Sequence, residues 1–597
     1  MNKDKIITRD EVQVEYTWKL EDIYETDGAW EEDYKLALKE IDEIGGYKGR
    51  LDNSYEVLGE YLNRYSALAQ KIEKLYIYAN QKYHQDTGNS FYQDLSDRSS
   101  SIESRFESKV SFMTPEILAI DAKRLGQWME QEVIAPYKKF LEEMTRQRAH
   151  ILSKELEQML AETSDMGNAP SDIFSMFDNA DIRFEDAVNE QGEKLPVTHG
   201  RFFSYLSSSD RTLRKSAFTS VYKAYQDHKN TLSAVYRANL KKEWFYAKAR
   251  KYESSMAMSL DNSNVPIPVY KNLIASVHEN LDLMHRYMKI RKERLGVSEL
   301  HMYDIYTPIV SDVEKTISYE EAKRTVYESL QPLGEEYRSI VKEGFENRWI
   351  DVFENQGKRS GAYSWGPYGI HPYVLLNHQD NLNCMFTLAH EMGHAMHSYY
   401  SDKAQPFLYA GYKTFVAEVA STCNEALLMD YLLKRTTSKE EKDYLINYFM
   451  EQFRTTLYRQ TMFAEFEMIT HEMVQNNQTL TAENLCKIYY DLNVKYYGED
   501  MVVDEEIAME WARIPHFYTP FYVYQYATGY SAAIAISKKI LSGDEKAKEG
   551  YFKFLQGGRS MDPISLLKLC DVDMSTKQPV NSALKLFEEL LDQFEGK

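Results

Sequence analysis

The segment NCMFTLAHEMGHAMH, residues 383–397, decides how this sequence is interpreted. It is apolar and helix-like, so it favours a largely buried helix. On a helix, His390 and His394 lie one turn apart and project from the same face, as two imidazole ligands of one Zn²⁺ must. Glu391 follows the first histidine and can reach a water molecule at an open metal position. The segment therefore predicts a hydrolytic metal site with Glu391 as general base.

The HExxH pattern by itself is short enough to occur by chance. With 14 His and 92 Asp and Glu in 597 residues, roughly 0.05 random matches are expected. The context strengthens the prediction, because Phe386, Leu388 and Met396 surround the pattern with apolar side chains. Burying unpaired polar groups costs free energy, so two histidines and a glutamate on a buried helix indicate that they have a binding partner. The alternative is a partly exposed amphipathic helix.

A catalytic zinc of this kind takes a third protein ligand and keeps one position open. Glu418 is the best candidate, because it lies in a second apolar, helix-like segment, residues 415–425, and shares one face with Glu425. We expect Glu425 to accept a hydrogen bond from a ligand histidine and so fix its tautomer. For both carboxylates the alternative is a solvated helix face. His397 and Cys423 lie off these faces and are interpreted as support or packing residues.

The composition excludes several classes of partner. The formal net charge is -21, which opposes binding to nucleic acid or to an anionic membrane. The four cysteines are too sparse for a disulfide framework. Neither an apolar signal segment nor an 18-residue apolar run is present in the sequence. We expect an acidic, soluble, cytoplasmic protein, and the sequence leaves its oligomeric state open.

Helical periodicity covers most of the chain, so the predicted fold class is mainly α. The periodic segments are Tyr55–Tyr83, Ile117–Leu160 with a break at Pro136, Arg211–Lys251, Pro268–Leu295, Tyr319–Gly344 and Lys439–Asn476.

Two regions depart from this periodicity. Phe174–Pro196 alternates apolar and polar residues around a Gln-Gly turn and predicts a hairpin. Gly357–Gln379 is rich in glycine and contains a β-like run, which predicts a small sheet just before the metal-site helix. A change of composition near residues 196–206 suggests a boundary there. We therefore expect an N-terminal, mostly helical lobe over residues 1–200 and a catalytic domain over residues 201–597.

Three motifs in this order resemble the thimet-oligopeptidase-like family of zinc metallopeptidases and its oligoendopeptidase F branch. They are LAHEMGHAMHS, FVAEVASTCNE and, near the C-terminus, IPHFYTPFYVYQYATG. The resemblance covers most of the chain. It implies one zinc ion per chain, two mainly helical lobes that enclose a deep central cavity, and hydrolysis of internal bonds in short peptides.

The resemblance also implies roles for individual residues. His390, His394 and Glu418 match the zinc ligands of the family, and Glu391 matches its general base. In the C-terminal motif, the residues that match its substrate-binding and oxyanion-stabilising groups are His516, Tyr522 and Tyr524. Tyr518 is an alternative to Tyr522 for the upstream tyrosine. The residues His371 and Tyr373 resemble part of an edge strand that binds extended peptides, and an ordinary sheet is the alternative.

Physical chemistry gives the C-terminal motif an independent interpretation. Thr519 and Pro520 resemble the N-cap and first position of a helix, which would leave His516 on the preceding loop. Tyr522 and Tyr526 would then share one helical face, while Tyr524 would point elsewhere. Phenol and imidazole donors can stabilise the oxyanion that forms when a peptide carbonyl is attacked. Aromatic packing between helices is the alternative for these tyrosines.

Two other functions compete with a zinc endopeptidase. A zinc carboxypeptidase of related helical fold would share HExxH and a downstream glutamate, but it would remove single residues from C-termini. A non-catalytic peptide-binding scaffold is the second rival. The intact set of His390, Glu391, His394 and Glu418 argues against the scaffold, because a dead site need not keep its base.

Overall fold

The computed structural model describes residues 6–310 and 316–597. The chain is mainly α-helical, with 71% of it in helices and only a few small sheets, as predicted. The helices are α1 Asp27–Ile44, α2 Tyr55–Gln85, α3 Ser90–Val110, α4 Met113–Ala119, α5 Ala122–Trp128, α6 Lys138–Arg146, α7 Lys154–Glu162, α8 Ser164–Met176, α9 His199–Leu206, α10 Arg211–Gln226, α11 Lys229–Ala249, α12 Ser255–Asp261, α13 Ile267–His278, α14 Leu281–Leu295, α15 Tyr319–Ser329, α16 Glu335–Glu346, α17 Leu382–Ala404, α18 Phe407–Ala410, α19 Thr414–Arg435, α20 Lys439–Gln452, α21 Arg459–Gln475, α22 Ala482–Tyr497, α23 Tyr524–Leu541, α24 Glu545–Leu555, α25 Pro563–Leu569 and α26 Gln578–Glu595. The strands are β1 Ala187–Val188, β2 Lys194–Leu195, β3 Leu300–His301, β4 Ile350–Asp351, β5 Tyr363–Trp365, β6 Tyr373–Leu375 and β7 Met501–Val502.

The chain forms two compact units, each built from segments that are distant in sequence. The first unit comprises residues 1–149, 315–431 and 536–571, and the second comprises residues 150–314, 432–535 and 572–597. The boundary expected near residue 200 therefore falls inside the second unit. A change of composition along the chain does not reveal that later segments return to complete an earlier core.

The first unit is organised around α1, α2 and α3, which pack against one another. Trp30 is fully buried in this core, and its indole N–H donates to the carbonyl of Leu75 at 2.9 Å. Tyr373 and Leu375 of β6 belong to the same apolar cluster. The helical core is thereby joined to the small sheet, and α17 packs against β5 and β6 of that sheet.

The small sheet predicted between residues 357 and 379 is present, in the order β4-β6-β5. Strand β6 is parallel to β4 and antiparallel to β5, so it is the central strand. The expectation that His371 and Tyr373 belong to an edge strand is therefore wrong. The sequence did not show that β4 would pair on the far side of β6, because β4 has only two residues and lies outside the glycine-rich segment.

The predicted hairpin is confirmed in part and lies in the second unit. Strands β1 and β2 pair antiparallel, and Gly192 takes a φ of +79° in the turn between them. The residues from Phe174 to Asp181 are helical instead, because α8 packs on α11 and continues as a π-helical turn to Asp181. The described part of the chain contains no helix that is both long and apolar enough to cross a membrane.

Several of the long periodic segments divide into two or more helices. The segment from residue 211 to 251 forms α10 and α11, with a break next to His228. The segment from residue 439 to 476 forms α20 and α21, joined by a π-helical turn at Phe453–Tyr458. Arg454 in that turn is buried and pairs with Glu451. Periodicity shows which residues face the core, but it does not show such local changes of helix geometry.

Candidate metal centre

The helix α17 carries the HExxH residues in the first unit. Its N-cap is Asn381, whose side-chain oxygen accepts the backbone N–H of Cys384 at 2.9 Å. Most of its length is buried among apolar residues, including Met385, Leu388 and Met392. His390 and His394 are only partly buried, with side chains 27% and 16% exposed. The helix therefore presents both imidazoles on its one accessible face.

Helix α19 approaches α17 unusually closely at Gly393, which lies between the two histidines. A Cβ atom on Gly393 would lie 2.5 Å from the Cα of Ser421 and 2.7 Å from the carbonyl oxygen of Ala420. Asn424 of α19 also donates its side-chain amide to the carbonyl of Ala389 at 3.2 Å. This contact between two backbones sets the register in which carboxylates of α19 meet the histidines of α17.

The ligand atoms of His390, His394 and Glu418 converge. The two Nε2 atoms lie 3.2 Å apart, and Glu418 Oε2 lies 3.3 Å from His390 Nε2 and 3.4 Å from His394 Nε2. In a tetrahedral zinc site with bonds of about 2.0–2.1 Å, neighbouring ligand atoms lie about 3.3–3.4 Å apart. The three side chains thus have the separations that ligands of a single metal ion require.

Glu391 lies beside this cluster with one oxygen unused. Glu391 is only 6% exposed, and its Oε2 has no hydrogen-bond partner among the described residues. Burial raises the pKa of Glu391 above its usual value, although the neighbouring histidines oppose the shift. A buried carboxyl oxygen without a partner is costly. A water molecule bound beside the three ligand atoms would give Glu391 Oε2 a partner and so explain its position.

The electrostatics of the cluster call for a cation. Burial opposes charge on His390, but hydrogen bonds to Glu418 and Glu425 outweigh it and raise the pKa of His390 to about 10. Burial likewise opposes charge on Glu418, but hydrogen bonds from His390 and His394 hold the pKa of Glu418 well below its usual range. A proton on His390 therefore helps to balance the charge of the carboxylates. A divalent metal would supply that positive charge and release the proton.

Two further side chains orient the ligands. The Nδ1 atom of His390 donates to Glu425 Oε1 at 2.5 Å, and in the neutral ring this leaves Nε2 without a proton and able to bind a metal. Ser421 donates its hydroxyl toward Glu418 Oε2 at 3.1 Å. Sequence reasoning missed Ser421, Asn424 and Gly393. The glycine carried a signal, because glycine inside a helix is about 1 kcal/mol less favourable than alanine and so marks a close approach.

His397 lies near the centre but takes no part in the ligand cluster. Its ring stacks on Tyr412 with centroids 3.8 Å apart and an angle of 3° between the planes. Burial lowers the pKa of His397 to about 3, so the ring is neutral. Cys423 is fully buried. Both residues have the surroundings of packing groups.

The residues of the C-terminal motif lie in the second unit, and the structure changes their expected helix. Thr519 and Pro520 do not begin a helix; a 3₁₀ turn covers Pro515–Tyr518, and α23 begins at Tyr524. The physical reason is Phe521, whose φ of 54° lies in the left-handed region and interrupts any helix through this point.

His516, Tyr522 and Tyr526 nevertheless form one aromatic cluster. The ring centroids of His516 and Tyr522 lie 6.0 Å apart, and the rings are nearly parallel at 11°. Tyr526 lies 5.5 Å from Tyr522 and 6.1 Å from His516, edge-on to both. His516 is exposed, and partial desolvation lowers its pKa. Tyr522 and Tyr526 are thus neighbours, but Tyr522 lies before α23, so the expectation that they share one helical face is wrong.

The other two tyrosines of the motif are packed. Tyr524 is 2% exposed, its ring lies 4.9 Å from that of Tyr270, and burial raises its pKa. Tyr518 stacks on Phe174 with centroids 4.5 Å apart, and burial raises its pKa also. The structure brings neither phenol into the cluster around His516.

His371 and Tyr373 are engaged within the first unit. The ring of His371 stacks on Trp349 at 4.8 Å and 2°, and its Nε2 lies 3.2 Å from Asp22 Oδ2. Tyr373 is fully buried, and its hydroxyl donates to the carbonyl of Lys19 at 2.9 Å. Both side chains hold the sheet to the N-terminal segment.

Comparisons with known proteins agree with these features. The family model described as peptidase family M3 matches residues 204–586, and a model described as oligopeptidase F matches residues 116–184. The oligopeptidase PepF of Bacillus subtilis (strain 168) is 46% identical over 588 residues, which cover 98% of this chain and 88% of that protein. An oligoendopeptidase F homolog of Lactococcus lactis subsp. lactis (strain IL1403) is 38% identical and covers 98% of each chain.

Solved structures resemble the whole chain. Oligoendopeptidase-F from Enterococcus faecium superposes with a TM-score of 0.74 and 35% identity, covering 96% of this chain and 99% of that chain. A structure from Chlamydophila abortus gives a TM-score of 0.94 and 34% identity, covering 99% and 100%. The fold and the relatives define a mainly α-helical peptidase. The chain belongs to peptidase family M3, as its motifs had suggested.

Proposed function

We propose that this chain is a zinc-dependent endopeptidase that hydrolyses internal bonds of short peptides. The observation that carries the proposal is the convergence of two Nε2 atoms and one carboxylate oxygen within 3.2–3.4 Å, next to the unpartnered Oε2 of Glu391. The names of the relatives, oligopeptidase and oligoendopeptidase F, support cleavage within short peptides.

His390, His394 and Glu418 would hold the zinc ion, which supplies Lewis-acid polarisation of water and of a peptide carbonyl when bound. Glu391 accepts the proton of the attacking water through Oε2 and delivers it to the leaving amine. Burial raises its pKa, so its carboxylate is a stronger base toward the water than that of an exposed glutamate. Glu425 keeps the Nδ1 proton of His390 in place throughout.

We also propose that His516 and Tyr522 donate hydrogen bonds to the carbonyl oxygen as negative charge develops on it. The exposure of His516, the partial exposure of Tyr522 and the near-parallel alignment of their rings support this role, as does their match to the family motif. Tyr526 belongs with them. Tyr524 is assigned to packing because it is buried, and Tyr518 because its ring stacks on Phe174. His371 and Tyr373 are left out of the substrate contacts, since both are occupied within the sheet.

The experiment is cleavage of an internally quenched peptide that is blocked at both termini. The enzyme is assayed as purified, after removal of metal with a chelator, and after addition of zinc. Internal cleavage that stops with the chelator and returns with zinc supports the proposal. Cleavage only of a peptide with a free C-terminus, one residue at a time, would replace it with a carboxypeptidase. Full activity without any bound metal would refute the zinc centre.

A further inference from the structure

Phe521 has a backbone conformation that needs an explanation. It links the 3₁₀ turn Pro515–Tyr518 to α23, and its φ of 54° is left-handed although it is not glycine. Such a conformation is unfavourable for a residue with a side chain. It persists only where the surroundings enforce it.

The restraint on Phe521 is a buried carboxyl group. The backbone N–H of Phe521 donates to Glu467 Oε1 at 3.0 Å. Glu467 lies in the middle of α21 and is completely buried. Its Oε2 has no hydrogen-bond partner among the described residues. Burying a carboxyl group costs free energy. The hydrogen bond to Phe521 therefore indicates that Glu467 is there to hold this backbone.

Other helices hold the neighbouring atoms of the same link. The ring of His471, one turn after Glu467 on α21, lies 4.5 Å from the ring of Phe521. Tyr270 of α13 lies 5.6 Å from that ring. Ser259 of α12 donates its hydroxyl to the carbonyl of Pro520 at 2.8 Å. Pro520 and Phe521 are therefore enclosed on several sides, and the backbone N–H of Phe521 is hydrogen-bonded to Glu467.

The titratable groups that face Glu467 are Tyr236 of α11 and Tyr270 of α13. His471 lies one turn later on the same helix, within the electrostatic reach of Lys242. Burial raises the pKa of Glu467 to about 8, against the opposing effect of the Phe521 N–H. The carboxyl group is thus neutral at pH 7. Its carbonyl oxygen still accepts the bond in that form.

Tyr522 follows Phe521 directly, so the conformation of Phe521 sets the direction of Tyr522. We propose that Glu467 is a positioning residue, which holds Phe521 in the left-handed conformation and thereby aligns Tyr522 with His516 for peptide hydrolysis. This inference rests on the proposed function of Tyr522. It concerns a fully buried residue that is not part of the candidate metal cluster.

The test compares Glu467→Met, which keeps the volume but removes the acceptor, with Glu467→Gln, which keeps an acceptor. Zinc-loaded variants are assayed with the blocked peptide. Because small misplacements of a positioned group are costly, Glu467→Met should lower kcat by about 10–100-fold with little change in KM. Glu467→Gln should restore kcat to near the original value. Glu467→Asp, which withdraws the oxygen by one methylene, should lose kcat as well and serves if the Met variant does not fold.

Glu465→Met is the matched control. Glu465 lies two residues earlier on α21, and its carboxylate is bonded to His278, Lys495 and Tyr496. That variant should lower Tm without lowering kcat at 25 °C. If it loses kcat as much as Glu467→Met does, the effect is general damage to α21 and the inference fails.

A double-mutant cycle separates this inference from the proposed function. If Glu467 acts through Tyr522, then Glu467→Met should cost little more in a Tyr522→Phe background. Losses that multiply would overturn the inference. Wild-type kcat in Glu467→Met, with a clear loss in Tyr522→Phe, would also overturn it while leaving the role of Tyr522 intact. Wild-type kcat in Tyr522→Phe would instead refute the role of Tyr522 itself.

Discussion

The two groups of candidate functional residues are held by different kinds of structure. In the first unit, His390, His394 and Glu418 lie within long helices, and a backbone contact at Gly393 fixes the helices to each other. In the second unit, His516 and Tyr522 lie on a short turn and an irregular link. Helical periodicity defines the first arrangement, whereas a tertiary hydrogen bond and aromatic packing define the second.

This difference has a chemical counterpart. A metal ion needs ligand atoms at fixed separations, which rigid helices provide. Donors to a developing oxyanion must also be aligned, but here their alignment depends on one strained residue and on Glu467. We therefore expect changes to the ligands or to the contact between α17 and α19 to alter metal content, and changes near Phe521 to alter turnover alone.

The largest effect is expected when the base of the first group is removed. Glu391→Gln keeps the size of the side chain but cannot take a proton, so kcat should fall by about 10²–10⁴-fold. Zinc content should stay equal to that of the parent, because Glu391 is not among the three converging ligands. Steady-state kinetics with metal analysis checks both. A variant that keeps more than a tenth of the activity would contradict the assigned role.

The second group is tested by removing one phenol at a time. Tyr522→Phe should lower kcat by about 100-fold, because one donor to the oxyanion is lost. Tyr524→Phe removes a hydroxyl from a buried, packed tyrosine and should leave kcat nearly unchanged. Zinc content should be the same in both. The reverse order of effects would show that Tyr524, rather than Tyr522, stabilises the oxyanion.

Helix contact in the first group is tested by a single methyl group. Gly393→Ala places a Cβ against the backbone of Ser421, so α19 must move away from α17. Since orienting residues typically contribute 10–100-fold to metal affinity, we expect zinc affinity to fall by about 10-fold or more, together with Tm.

Gly126→Ala is the matched control for this substitution. Gly126 lies inside α5, and a Cβ there would meet nothing within 4 Å. Alanine is favoured over glycine in a helix by about 0.5–1 kcal/mol, so this variant should be at least as stable as the parent. Equal zinc affinity in the two variants would show that the close contact at Gly393 does not position Glu418.

These contrasts explain what could be predicted from the sequence. The spacing of His390, His394 and Glu418 on helical faces predicted residues that the structure brings together. The start of α23 was misplaced, because Thr519 and Pro520 match a local helix signal that Phe521 overrides. That override comes from Glu467, 54 residues earlier in the chain. Local patterns carry no record of such a contact.

The same limit applies to the sheet and to the division of the chain. Strand β6 was expected at the edge of the sheet. It is central instead, because β4, which lies before the glycine-rich segment, pairs with it on the side opposite β5. The chain passes from one unit to the other several times, so each unit is built from segments that are distant in sequence. Both features depend on which distant segments share a core, and a single sequence does not specify this directly.

The smallest expected effect concerns stability rather than turnover. The pKa of Glu467 is raised to about 8 in the folded protein, above its value of 4.5 in an exposed side chain. The stability that the neutral carboxyl group contributes is fully present below pH 4.5 and is lost as the pH rises through 8. Glu467→Gln does not titrate, so its Tm should exceed that of the parent by an amount that grows from pH 5 to pH 8. Above pH 8 the difference should be constant, because the carboxyl group is then ionised in both the folded and the unfolded state. Thermal unfolding of both proteins at a series of pH values measures this difference. A Tm difference that does not change with pH would mean that Glu467 is already ionised at pH 5, and that its bond to Phe521 is made by a carboxylate.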